Sequence, residues 1–238
     1  DIMSKITSFL DKKLYPEHDN NWDDKLFREE ILFFIDSNSV LLDLGAGAGV
    51  VKEMNFKGLC SKVCGIDLDE RVAVNEMLDE GKIADVSKIP YSDSTFDIVF
   101  SDNLMEHVDS PIRIYEEVRR VLKPGGIFMF KTPNKYHYMP LIARFTPHIF
   151  HQWFNKLRGR ETIDTFPTKY QSNSKRDIKK IANMSGFNEV EIKILEGRPE
   201  YMRLSFITYI FGFIYERIVN SSDFFSSLRV VIIAKIQK

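Results

Sequence analysis

Short apolar runs alternate with segments of helical periodicity along most of this chain. Val40, Leu41, Leu42 and Leu44 form the first run, with Asp43 set inside it, and three glycines follow at Gly45, Gly47 and Gly49. A run of this kind reads as a buried parallel strand, and the glycines predict a sharp turn with close backbone approach to a ligand. Further strands are predicted at Val63–Ile66, Thr95–Phe100 and Ile127–Lys131. One helix is expected between the glycine loop and the second strand. Another follows from the spacing of Ile112, Tyr115, Val118 and Val121, and Pro124, Gly125 and Gly126 are expected to form the turn that stops it and launches the next strand. Ser172–Val190 predicts a helix through Ile178 and Ile181 and then a sixth strand, and Arg229–Ile236 a seventh. Near the start, Tyr15–Asn21 is turn-like, and Trp22, Leu26, Phe27, Ile31, Phe34 and Ile35 mark an amphipathic helix.

The polar residues at the strand ends carry the chemistry. Asp43 is placed to accept hydrogen bonds from a ligand amine or to pair with a ligand's positive charge, whereas a pyrophosphate would be repelled by it. Dinucleotide folds use GxGxxG and offer backbone N–H groups to that pyrophosphate; the spacing here is GxGxG. Asp67 closes the second strand, where a carboxylate suits a ribose diol; its plain alternative is a loop carboxylate.

The stretch DLGAGAG resembles motif I of the class I methyltransferases that use S-adenosylmethionine. The resemblance extends through Asp67, through GKIADVSKIP (Gly81–Pro90), through SDNLMEHV (Ser101–Val108) and through VLKPGG (Val121–Gly126). Four motifs in register are far more specific than any one alone, and the match is close over 41–132. It is similar to the small-molecule branch that includes ubiquinone-pathway O-methyltransferases. The resemblance implies a doubly wound α/β fold, Rossmann-like, with a seven-stranded, mostly parallel sheet and an aromatic-rich insertion after the fifth strand. It implies S-adenosylmethionine as cofactor and S-adenosylhomocysteine as product. Asp43, Gly45, Ala46, Gly47 and Gly49 would hold the methionine part, Asp67 with Leu68 the ribose side, Asp85 and Val86 the adenine, and Ser101 begins the loop on the cofactor side. No metal is implied. For a hydroxyl acceptor a base is needed, and His107 and His137 are the candidates, because each follows a strand at the open edge of the sheet. His107 has Glu106 as neighbour, and a structural or cofactor-side role for it stays open.

Composition changes this picture little. The 238 residues suffice for a single domain, and a net charge of −1 without a basic tail speaks against nucleic acid as partner. The loop after the fourth strand also lacks the Pro-Pro-Tyr type of signature of base-methylating enzymes. Cys60 and Cys64 read as free thiols, since two thiols without a neighbouring histidine make a poor metal site. The N-terminal segment shows no secretory pattern, so a cytoplasmic location is the default expectation.

Three segments lie outside the core and should govern the acceptor. Residues 1–38 read as a helical cover, with Tyr15, Trp22 and Arg28 as ligand contacts or as packing. Residues 133–171 are dense in aromatics and read as a lid; His148 and His151, three apart, lack a third metal ligand. Within 199–222, the apolar stretch 201–219 contains 12 residues between Arg203 and Glu216, against about 20 for a membrane span. Its apolar residues surround the helix, which favours burial; the readings are a cover over a small-molecule acceptor, a homodimer contact, or a membrane-surface or lipid-linked substrate contact. Two other functions stand beside methyl transfer. An NAD-dependent oxidoreductase would not predict Asp43, Asp85 and the Pro-Gly-Gly stretch together, and a noncatalytic methyltransferase-like binding protein would lose the cofactor residues. N- and C-methylation also stay open.

Overall fold

The computed structural model describes residues 2–18, 21–145 and 168–238. They gather into two compact units: Asp24–Pro133, Thr168–Lys193 and Ile232–Lys238 form one, and Asp1–Asp23, Asn134–Pro167 and Ile194–Val231 the other.

The first unit is built on a seven-stranded sheet of order β3-β2-β1-β4-β5-β7-β6. β1 (Val40–Leu44) lies parallel between β2 (Lys62–Asp67) and β4 (Phe96–Asp102), with Leu42 opposite both Cys64 and Val99. β3 (Glu80–Ile83) adds in parallel to β2, and β5 (Leu122–Pro133) to β4. β6 (Glu189–Leu195) and β7 (Val231–Gln237) complete it. β7 runs against β5, since Gly125 N–H donates to Lys238 O and Asn134 N–H to Val230 O. Leu41, Leu42, Leu44, Ile66, Phe100 and Phe128 are fully buried, as expected of strands covered on both faces. Chain order reverses between β1 and β4, the position at which sheets of this kind bind ligands outside the carboxyl ends of their strands.

Two local expectations are corrected. The helix between the glycine loop and β2 is a single 3-10 turn, Lys52–Met54. Arg28 Nη1 takes the carbonyls of Glu53 and Asn55, both at 2.6 Å, which a continuing helix would have used, and Gly58 follows at φ +81°. The Pro-Gly-Gly stretch is not a turn between helix and strand. It lies inside β5 as a bulge: α3 (Pro111–Val121) ends directly before Leu122, and the register jumps from Phe96↔Leu122 to Ile98↔Ile127. Gly125, at φ +77°, makes that bulge accessible to the backbone. α5 (Lys175–Met184), capped by Ser174, packs on α3.

The second unit contains α1 (Ile2–Leu14), which the apolar pattern did not show, α4 (Tyr138–Phe145) and α6 (Phe206–Asn220). α2 (Trp22–Leu32) begins in it and continues into the sheet unit. α6 opens with a Ser205–Thr208 capping box. Its inward face carries Tyr209, Gly212, Glu216 and Val219, and α1 satisfies the polar heads: Tyr209 donates to Asp11 Oδ1 at 2.9 Å. Just past α1, Tyr15 donates to Glu216 Oε2 at 2.9 Å. A Cβ at Gly212 would sit 2.6 Å from that of Pro199, so the close approach requires glycine. The expectation of burial all round is corrected here. Ile207, Phe211, Ile214 and Ile218 form an opposite stripe that is 47–67 % exposed. Among the described residues, no helix is long and apolar enough to cross a membrane. His148, His151 and the aromatics of 146–167 lie outside the described residues.

Candidate functional site

The residues singled out at the strand ends meet at the carboxyl edge of the sheet. Gly45 and Ala46 both donate their N–H groups to Ile66 O, at 2.9 and 3.2 Å, so the loop is stitched to the end of β2. Gly45, Gly47 and Gly49 all have positive φ, at +80°, +46° and +70°. At Gly49 a Cβ would lie 2.2 Å from Asn75 Oδ1; at Gly47 it would meet only Asp67 Oδ2, at 3.8 Å. At Gly45 a Cβ would meet Leu104 Cδ1 at 3.3 Å, so it is at Gly47 that the loop backbone is open to a ligand.

Asp67 pins this loop. Its Oδ2 accepts from Gly47 N–H and its Oδ1 from Asp69 N–H, each at 2.9 Å. Each oxygen keeps acceptor capacity for a ligand hydroxyl. Asn75 clamps the loop from the other side, donating from Nδ2 to the carbonyls of Ala46 and Gly47 at 3.1 and 3.2 Å. Sequence reasoning missed Asn75, and its only signal is its place at the end of the 3-10 turn Glu70–Val74. Leu68, directly after Asp67, leaves its apolar side chain 72 % exposed. The segment after β3 is tied to the same place by Ala84 N–H to Asp67 O, at 2.9 Å. There Asp85 is exposed and holds its own turn, Ser87 N–H donating to its Oδ1 at 2.7 Å; Val86 is half-buried.

Electrostatics at this edge are unbalanced. Asp43 is buried and its carboxyl is pushed well above the usual carboxylate range, first by burial and then by the like charges of Asp102 and Asp67. Asp102 faces Lys131 Nζ at 3.1 Å, and the buried Lys131 also pairs with Asp24 of α2. Ser101 is fully buried, and its Oγ has no hydrogen-bond partner among the described residues. A ligand carrying positive charge and hydrogen-bonding groups is what such a site lacks.

His107 follows β4 at the same edge, half-buried, with Nε2 3.8 Å from Glu106 Oε1. Burial raises the Glu106 carboxyl. His137 belongs to the second unit. Its side chain is 1 % exposed and enclosed by the rings of Tyr138, Tyr201 and Tyr215, with Nε2 3.7 Å from Glu196 Oε2. Burial depresses its imidazole to about 3 and raises Glu196 to about 8. An imidazole so reluctant to take a proton is a poor base near neutrality. Tyr15 and Trp22 are buried, and Arg28 lies over the Phe56 ring at 4.8 Å. Cys60 and Cys64 are free thiols, half-buried and buried.

Residues 42–130, the stretch from β1 into β5, match the family model described as a methyltransferase domain. A ubiquinone biosynthesis O-methyltransferase of Thiobacillus denitrificans is 33 % identical over 104 residues, 40 % of this chain and 44 % of that protein. A sterol 4-C-methyltransferase of Caenorhabditis elegans is 29 % identical over 126 residues, 45 % and 37 % of the two chains. This chain thus spans less than half the length of these two curated relatives. In fold it is similar to a SAM-dependent methyltransferase from Archaeoglobus fulgidus, at a TM-score of 0.59 and 15 % identity, covering 97 % of this chain and 99 % of that one. S-adenosylmethionine fits the residues present. Its ammonium and sulfonium charges answer the uncompensated Asp43, its sugar hydroxyls the spare acceptor capacity of Asp67, and its polar groups the unpartnered Ser101. The glycine loop, the strand order and the matched stretch agree: residues 42–130 match a methyltransferase domain, and the chain resembles the class I S-adenosylmethionine-dependent methyltransferases.

Proposed function

We propose that this protein transfers the methyl group of S-adenosylmethionine to a hydroxyl of a small molecule. The observation that carries the reading is the buried, uncompensated Asp43 beside a glycine loop that Asp67 and Asn75 hold open. Asp43 and Gly45–Gly49 hold the methionine part, Asp67 and Leu68 the ribose side, Asp85 and Val86 the adenine, with Ser101 on the cofactor side. When bound, the cofactor supplies a methyl group on a sulfonium, a leaving group that needs no metal or acid to activate it. The chain's own residues position the acceptor, exclude water and take up the acceptor's proton. His107 is the group that supports hydroxyl chemistry, as a half-buried imidazole at the edge of the sheet with a carboxylate beside it. The relatives methylate at oxygen in one case and carbon in another by their names, so this histidine is the support for oxygen here.

A sugar, a natural-product intermediate or a lipid-linked glycan is the acceptor class we favour. The exposed apolar stripe of α6 supports an outward contact, with a lipid-linked acceptor or a second copy of the chain, over a cover inside the fold. Two free thiols accord with the cytoplasm as the working compartment. Calorimetric titration with S-adenosylmethionine and S-adenosylhomocysteine, followed by transfer of labelled methyl to hydroxyl acceptors, tests the reading. Saturable binding that weakens in Asp67→Ala is expected. A folded chain that binds neither compound would overturn it in favour of a noncatalytic binding protein.

A further inference from the structure

The outward face of α6 has a spacing of its own. Ile207, Phe211, Ile214 and Ile218 stand 4, 3 and 4 residues apart, the alternation of the d and a positions of a heptad. A stripe of that width is a helix seam, narrower than the face a helix lays on a protein core. The same helix already has its core face: Tyr209, Gly212, Glu216 and Val219 are buried, Tyr209 bonds to Asp11 of α1, and Gly212 lies against Pro199. The seam residues, all large and apolar, are left about half exposed or more.

The order of the four is self-complementary. Turned end to end about a two-fold axis midway along the seam, one copy sets Ile207 opposite Ile218 of the other and Phe211 opposite Ile214, so each layer matches a d position with an a position. Ile210 and Arg217 flank the seam on one side, and the two-fold axis brings Arg217 of one copy beside Ile210 of the other, so that no like charges meet. With roughly 200 Å² for a large side chain, the seam removes about 450 Å² of surface from each copy; the flanking pair raises the total for two copies to about 1,000–1,200 Å², the lower bound of a specific interface. A lipid surface is matched less well. A helix lying on lipid carries Lys and Arg along its polar margin, whereas Arg217 is the single cation of α6 and is held by Glu216 Oε2 at 3.2 Å, over the Phe213 ring.

We propose that two copies of this chain associate through α6 in antiparallel fashion, Ile207 of each against Ile218 of the other and Phe211 against Ile214. The contact is small, so the dimer is reversible and depends on concentration. This pairing is independent of the methyl transfer proposed above.

Ile207→Glu and Ile218→Lys test both the contact and its register. The two positions are exposed, and an acid in the first turn and a base near the last suit the helix dipole, so each variant keeps α6 intact. Sedimentation of the full chain without lipid, at about 100 µM, reads the outcome. The native chain should sediment as a dimer that dissociates on dilution. Each variant alone should be a monomer, because its new charge would be buried against an isoleucine in both outer layers. An equimolar mixture of the two variants should recover dimer, since the acid of one meets the base of the other while the opposite layer keeps its two isoleucines. Salt at about 1 M should weaken that recovery and spare the native dimer. Parallel copies would set Ile207 against Ile207, and the mixture would gain nothing. A native chain that is monomeric at this concentration overturns the proposal, as do single variants that stay dimeric or a mixture that stays monomeric. A native monomer that floats with vesicles of phosphatidylcholine and phosphatidylglycerol also overturns it and gives the stripe to a lipid surface.

Discussion

Glu196 offers a perturbation whose size follows from its surroundings. Its side chain is 4 % exposed, and burial, reinforced by the like charge of Glu216, raises its carboxyl from 4.5 to about 8; the Val230 amide and Arg229 oppose this. In the unfolded chain Glu196 loses its proton in the ordinary carboxylate range, near 4.5, while the folded chain holds it until about pH 8. Stability from this group is therefore fully present below pH 4.5 and is lost progressively as pH rises toward 8. At 1.36 kcal/mol per unit, the total is about 5 kcal/mol. Glu196→Gln keeps the shape and removes the titration. Its stability relative to the native chain should rise by about 3–4 kcal/mol between pH 5 and pH 8. His137 contributes with the opposite slope, since its depressed imidazole withholds stability as pH falls below 6.5, and this is common to both chains. Urea unfolding followed by tryptophan fluorescence, at intervals of one pH unit, measures the difference. Parallel stability curves for the two chains would refute the reasoning.

Three further outcomes are expected. Asp43→Asn should act with opposite signs on stability and binding: the raised carboxyl destabilises the fold increasingly as pH rises above the carboxylate range, so the unliganded variant melts higher at neutral pH, while S-adenosylmethionine binds roughly tenfold to a hundredfold more weakly in calorimetry. Loss of affinity without any gain in stability would count against a buried, uncompensated charge. Gly49→Ala, at φ +70° and 2.2 Å from Asn75 Oδ1, should cost about 1–3 kcal/mol in a urea melt and release the Asn75 clamp, weakening cofactor binding by more than tenfold. Phe211→Asp, on the exposed stripe of α6, should leave thermal stability within about 0.5 kcal/mol and abolish any self-association seen by sedimentation or any adherence to lipid vesicles.

The glycine loop and Asp67 are legible in the chain because their work is local. A strand that ends in glycines and a second strand that ends in an acid are brought together by one parallel pairing, Leu44↔Ile66, which the apolar runs already predict. Asn75 is not legible. Its value comes from folding back across some thirty positions onto the carbonyls of Ala46 and Gly47, and an asparagine at a turn carries no mark of that. The missing helix before β2 shows the same thing from the other side, since Arg28 of α2 takes the carbonyls that a longer helix would have used.

Burial decides the remaining cases. His107 and His137 look alike in the sequence, each a histidine shortly after a strand, yet one is half-open beside a carboxylate and the other is sealed among three tyrosines. The apolar stretch around α6 reads as buried on every side, whereas polar anchors from α1 draw one face inward and leave the other to solvent. Periodicity and strand-end residues by themselves point to the sheet and to its glycine-loop edge, because backbone pairing and glycine geometry act over a few neighbouring residues. Which side chain titrates, which is sealed and which faces outward is decided only in the tertiary structure, because desolvation and hydrogen-bond partners come from residues distant in the chain.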